Sequence, residues 1–246
     1  MTTEEFSNEF DVLINSYANG GAFGEGFDKT NLVFDEYEKS VFLTKAQEDV
    51  IISYYNGTNA KQEGFENTEE IRRYLNSLSI HINYDCSDGI QSEAVISSGE
   101  FIDSEEQCFD YVLSAPENLW FITTEFLKPE TVDCHNGKRV EIIPTTKDEV
   151  LRILENPFRG VTNRRALRLD VNNNIEIISP YKNYYYYCYY LAKPAPIILT
   201  DLSDLTINNI STKTECSVHE ALHRPILQRA VQLAIASKVG YRTQQQ

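Results

Sequence analysis

His219-Glu220-Ala221-Leu222-His223 is the one stretch of the chain whose residue types and spacing match a catalytic pattern, H-E-x-x-H. On a helix, histidines at i and i+4 share a face and can hold zinc, while the glutamate between them acts as base toward a metal-bound water. That is the chemistry of a zinc-dependent peptidase, with His219, Glu220 and His223 as its metal and catalytic residues. Several features oppose it. Zinc needs a third protein ligand, yet the extended form of the motif meets Ile226 and Arg229 where it calls for glycine and histidine, and no Asp, Glu or His follows His223. The other histidines, His81 and His135, fall in unrelated strand and turn contexts. Ser217 and Glu220 have capping-box spacing, which would occupy the glutamate at the helix start, and Pro225 implies a kink just beyond. The favoured reading is the start of a packing helix, with no catalytic, cofactor-binding or metal residue assigned.

The helix that would carry these histidines is expected over 217–238. One stripe runs His219, His223, Ile226, Ala230, Leu233, and a second, nearly opposite, runs Leu227, Val231, Ala234, Ile235. A helix apolar around most of its circumference must be covered on two sides. The chain's own core accounts for one; Leu227, Val231 and Ile235 are therefore expected to meet another subunit. A basic cluster, Arg159, Arg164, Arg165 and Arg168, has two readings. It is either a set of solvated charges or a contact for the acidic N-terminal region of a neighbouring copy or of another protein.

Upstream, the Ser/Thr-x-x-Glu/Gln signature recurs at Thr2/Glu5, Thr44/Gln47 and Thr146/Glu149, predicting helices over 2–17, 45–56 and 147–155, with another over 68–78. Alternating patterns predict strands over 80–84, 108–113 and 119–127. Asn136-Gly137 and Asn172-Asn173-Asn174 read as hairpin turns. The block Tyr184-Tyr185-Tyr186-Tyr187-Cys188-Tyr189-Tyr190 reads as a strand covered on both faces; a carbohydrate-binding aromatic surface is a lesser reading. The fold class is α+β: an acidic helical N-terminal region (1–79), then an antiparallel sheet with one interposed helix plus a long C-terminal helix (80–240, or one continuous domain with the first), and a flexible tail (241–246).

Net charge is −15 and unevenly spread. Residues 1–156 hold 31 acidic against 11 basic side chains, a net −20, whereas 157–246 hold 6 against 11, a net +5. Such an acidic surface disfavours tight wrapping of nucleic acid. No apolar run reaches the roughly 20 residues of a membrane helix, and the start is acidic where a signal peptide is basic, so the chain is expected in a cytoplasm with no membrane partner. Five cysteines without a C-x-x-C (Cys86, Cys108, Cys134, Cys188, Cys216) suggest reduced, buried thiols. The glycine-rich 20–26 stretch lacks the Lys-Ser/Thr ending of a phosphate loop and reads as a linker.

Phe34-Asp35-Glu36-Tyr37-Glu38-Lys39-Ser40 leading into 43–48, Glu155-Asn156-Pro157-Phe158-Arg159, Ala166-Leu167-Arg168-Leu169, Lys193-Pro194-Ala195-Pro196-Ile197-Ile198-Leu199 and the segment 215–234 appear in an order that resembles the connector ring proteins of crAss-like bacteriophages. The pattern departs at Ser217-Val218, where a Leu-Pro pair is expected. The resemblance implies a non-enzymatic virion protein without cofactors, assembled in the host cell cytoplasm. It would form a homo-oligomeric ring, a dodecamer by portal symmetry, in the head-to-tail connector. Its partners would be the portal protein and other ring proteins, with DNA passing through the channel without specific binding.

Overall fold

The computed structural model describes residues 1–19, 33–59, 62, 64–66, 68–86, 109–130, 139–156, 158–171, 174–181 and 184–243. The glycine-rich stretch, the Asn136-Gly137 turn, Cys108, Cys134 and 244–246 lie outside them. In chain order the elements are α1 (Thr3–Asn19), α2 (Glu36–Asn56), α3 (Glu69–Leu75), β1 (Ser79–Cys86), β2 (Phe109–Ser114), β3 (Leu119–Pro129), β4 (Val140–Pro144), α4 (Lys147–Leu154), β5 (Arg165–Val171), β6 (Asn174–Ser179), β7 (Tyr184–Ala192) and α5 (His223–Thr243). The fold is α+β, as the periodicities predict.

The chain divides into two compact units, Met1–Leu78 with Pro194–Gln246, and Ser79–Lys193. This corrects the grouping of the last helix with the sheet. α5 packs on α2 and α1, and its apolar side chains are buried there because α1 and α2 each present a complementary stripe. In α1 that stripe is Phe6, Phe10 and Ile14, all buried, at i, i+4 and i+8. The Thr2/Glu5 capping box forms, the Thr2 N–H donating to Glu5 Oε2 at 2.8 Å and the Glu5 N–H to Thr2 Oγ1 at 3.2 Å.

α2 starts earlier than predicted, at a capping box of Asp35 and Glu38. Thr44 and Gln47 are not a cap. With Ser40 they form a polar row, spaced 4 and 3, along the helix face toward the proline-bracketed segment 194–199. Ser40 Oγ accepts the Leu199 N–H at 3.0 Å, Thr44 Oγ1 accepts the Ile197 N–H at 3.1 Å, and the Gln47 amide approaches the Ala195 carbonyl at 3.4 Å. The helix supplies the hydrogen bonds for Ile197 and Leu199 that a neighbouring strand would give, and the Thr214 carbonyl accepts the Ile198 N–H at 3.1 Å, so all three are buried without orphaned amides. Asn56-Gly57 stops α2, Gly57 taking φ 72°. Asn208 and Asn209, at φ 51° and 65°, make the tight turn between the mutually bonded Ile207 and Ile210.

The second unit is a seven-stranded sheet in the order β1-β7-β3-β4-β5-β6-β2. Every neighbour pair is antiparallel except β4 and β5, which run parallel across the interposed α4. β5 and β6 pair antiparallel down to Val171 and Asn174, and Asn172 and Asn173 lie outside the described residues. The sheet rolls so that its edges meet. The Tyr84 hydroxyl of β1 donates to the Ser114 carbonyl of β2 at 2.7 Å, and the Tyr111 ring of β2 stands edge-on to Tyr184 at 5.3 Å. Tyr184, Tyr186, Cys188 and Tyr190 fill the interior, while α4 covers Leu167, Leu169 and Ile178 on the outer face.

The tyrosine strand is covered on one face only, which corrects the two-faced expectation. Tyr189 remains 38% exposed. Outward tyrosines lie against cross-strand rings, Tyr187 stacked on Phe126 at 4.9 Å and Tyr189 beside His81 at 5.1 Å, so each keeps its body dry and its hydroxyl at water. Outer-face Glu176 is buried, and among the described residues neither carboxylate oxygen has a hydrogen-bond partner.

Candidate functional site

The H-E-x-x-H pentapeptide does not lie on one helix. His219 is extended, with ψ 143°, and is itself the cap: its Nδ1 accepts the Ala221 N–H at 3.2 Å, a role expected of Ser217. A 3-10 turn, Glu220–Leu222, follows, and α5 begins only at His223. The His219 ring lies 5.2 Å from Tyr74, and Glu220 is exposed. His223 is buried with both ring nitrogens engaged, Nε2 with the Val218 carbonyl at 3.0 Å and Nδ1 with the Met1 amino group at 2.7 Å. These partners define a neutral imidazole protonated on Nε2. Burial holds its pKa below the ordinary histidine range, and the amino-terminal charge pushes the same way. Among the described residues no group of three or more His, Cys, Asp or Glu is placed to hold a metal. Pro225 falls in the first turn of α5, where a missing N–H breaks no helical hydrogen bond, so the kink expected there has no cause.

The expected subunit-contact residues are scattered. Leu227 and Val231 are buried, and so are Ile226 and Ala230 of the opposite stripe; α1 and α2 cover both sides of α5, leaving Ile235 half-buried. The expectation that the chain covers only one side is revised accordingly. Arg168, 8% exposed, points into the rolled sheet. Its Nε lies 3.3 Å from Glu125 Oε1 and its Nη1 3.4 Å from Asp170 Oδ1, while the Tyr186 hydroxyl donates to Glu125 Oε2 at 2.9 Å. Burial raises the Glu125 pKa, and the Arg168 charge opposes that rise.

Arg159 and Arg164 belong to a surface loop between α4 and β5, and Arg165 is the first residue of β5. Phe158 at its tip is 88% exposed, yet its backbone is fixed on both sides: Asn156 Oδ1 accepts its N–H at 2.9 Å, and the Arg165 guanidinium donates to its carbonyl at 2.9 Å. The Asn156 carbonyl accepts the N–H groups of Arg159 and Gly160 at 3.0 and 2.8 Å. Gly160 sits so close to the end of α4 that a Cβ there would meet the Asn156 carbonyl at 3.2 Å. Thr162 and Arg165 exchange backbone hydrogen bonds at 2.9 Å, and the Tyr181 hydroxyl holds the Asn163 carbonyl at 3.0 Å. Arg159, next to Phe158 in the sequence, and Arg164, six residues beyond Phe158, are both exposed. The sequence named the arginines but not the aromatic residue, because an apolar residue in a short loop carries no signal of whether it turns inward.

The molecule is thus an α+β protein whose one catalytic-looking motif is used for capping and packing, and whose most exposed large apolar side chain among the described residues is held on a fixed, arginine-rich loop. The chain belongs to the phage tail ring protein 3/4 family, whose profile matches residues 1–246. It is 42% identical over 243 residues to "Ring protein 3" of Bacteroides phage crAss001, covering 97% of this chain and 96% of that protein. It is 32% identical over 257 residues to "Ring protein 4/5" of the same phage, covering 98% and 94%. The chain is therefore a structural ring protein of a phage particle.

Proposed function

We propose that this protein forms a closed homo-oligomeric ring in the head-to-tail connector, below the portal, and that the ring encloses the channel through which DNA passes. It works without catalysis. The observation that carries this reading is the full-length match to a tail ring family, together with relatives named as ring proteins. Two further features support it. The histidine motif is absorbed by backbone and ring contacts, and the net charge of −15 suits a wall past which DNA slides without sticking. Native mass measurement of the purified chain, alone and with the portal protein, tests it. A single discrete ring stoichiometry, in step with the portal's own, is expected; a chain that stays monomeric under both conditions overturns the proposal.

A further inference from the structure

We infer that the loop carrying Phe158, Arg159 and Arg164 is one half of the contact between adjacent copies, and that the outward face of α1 on the next copy, centred on Val12, is the other half. The inference rests on the ring reading and specifies how one subunit holds the next. A ring of identical chains needs two different patches that fit each other, since a head-to-tail contact repeats until the rotation closes.

The donor patch has the make-up of an interface anchor. Aromatic and arginine side chains dominate binding energy at protein contacts, and a loop whose backbone is already fixed in space loses little further entropy on docking. Phe158, 88% exposed on a backbone pinned by Asn156, Gly160 and Arg165, meets that condition. Solvation alone explains the arginines but not why the loop holds an aromatic ring out into water.

The acceptor patch is chosen by charge. α1 carries Glu4, Glu5, Glu9 and Asp11 and no Lys or Arg. Glu5, Glu9 and Val12 are spaced 4 and 3 and share one face, and Val12 is 67% exposed. An apolar centre flanked by carboxylates complements an apolar ring flanked by guanidinium groups, and arginine forks pair well with carboxylates.

The test uses the full-length oligomer. Phe158→Cys copies mixed with Val12→Cys copies and treated with a short bis-maleimide should give a covalent dimer that neither variant gives by itself, and the double variant should give a ladder. Phe158→Ala should raise the subunit dissociation constant about 30-fold with thermal unfolding unchanged. Arg164→Glu should weaken assembly, and Glu9→Lys in the same chain should restore it. An oligomer of unchanged mass and affinity without the 158–12 cross-link overturns this contact while leaving the ring reading intact. A chain monomeric alone and with the portal protein overturns both.

Discussion

At the scale of single residues, the buried polar groups give the clearest predictions. His223 has a pKa lowered by burial, so protonation is harder in the folded chain than in the unfolded one. Stability should therefore fall as pH drops through the unfolded value, about 6.5, and His223→Gln should flatten that part of the profile. Thermal melts from pH 8 to pH 5 measure it; a wild-type profile parallel to that of the variant would show that His223 does not titrate on unfolding. Glu125 has the opposite linkage. Its pKa is raised in the folded chain, chiefly by burial, so the folded state holds the proton more tightly and stability declines as pH rises above the unfolded carboxylate value. Relative to Glu125→Gln, the wild type should lose ground as pH rises above the unfolded glutamate value, about 4.3. Glu176 is a simpler case, since its buried oxygens have no partner to lose. Glu176→Leu should raise stability by about 1–3 kcal/mol, read by urea titration.

At the scale of elements, helix starts separate sequence signature from structural fact. Asp35 bonds the Glu38 N–H at 2.6 Å, so Asp35→Ala should cost about 1 kcal/mol. Thr146 occupies the cap position of α4 without a side-chain bond, so Thr146→Ala should cost little; equal losses in chemical denaturation would contradict the distinction. The Ser/Thr signature predicts a capping box at Thr146 and Glu149 and misses the one at Asp35 and Glu38, because spacing reports which groups can reach each other and not which partner wins. Thr44 and Gln47 make the point more sharply. Their spacing mimics a capping box, but a segment about 150 residues away in the chain offers buried amides, and satisfying those is worth more than an alternative cap. The tyrosine strand, the β5/β6 hairpin and the Asn56-Gly57 stop were legible since each depends on local pattern. The β4/β5 parallel pairing, the return of α5 to the N-terminal helices and the inward turn of Arg168 were not, being decided by long-range contacts. The histidine motif failed for a local reason: His219 bonds its own backbone and delays the helix until His223.

At the scale of the whole molecule, charge sets how copies can meet. Each chain carries a net −15, so copies repel at long range, while the proposed contact joins arginines to carboxylates at short range. The two effects answer to salt over different distances. At about 0.1 M salt the screening length is about 10 Å, which already suppresses repulsion between the bodies of two chains but not attraction between groups in contact. Association should therefore strengthen as salt rises from very low values toward about 0.1 M, then weaken again toward about 1 M, where the screening length is about 3 Å. Assembly through an apolar face would have no such decline, since added salt does not weaken hydrophobic burial, and kosmotropic salts strengthen it. Sedimentation velocity across a sodium chloride series distinguishes the two. A maximum near 0.1 M, abolished by Arg159→Glu with Arg164→Glu, is the expected result; association that rises steadily with salt would remove the arginine loop from the contact.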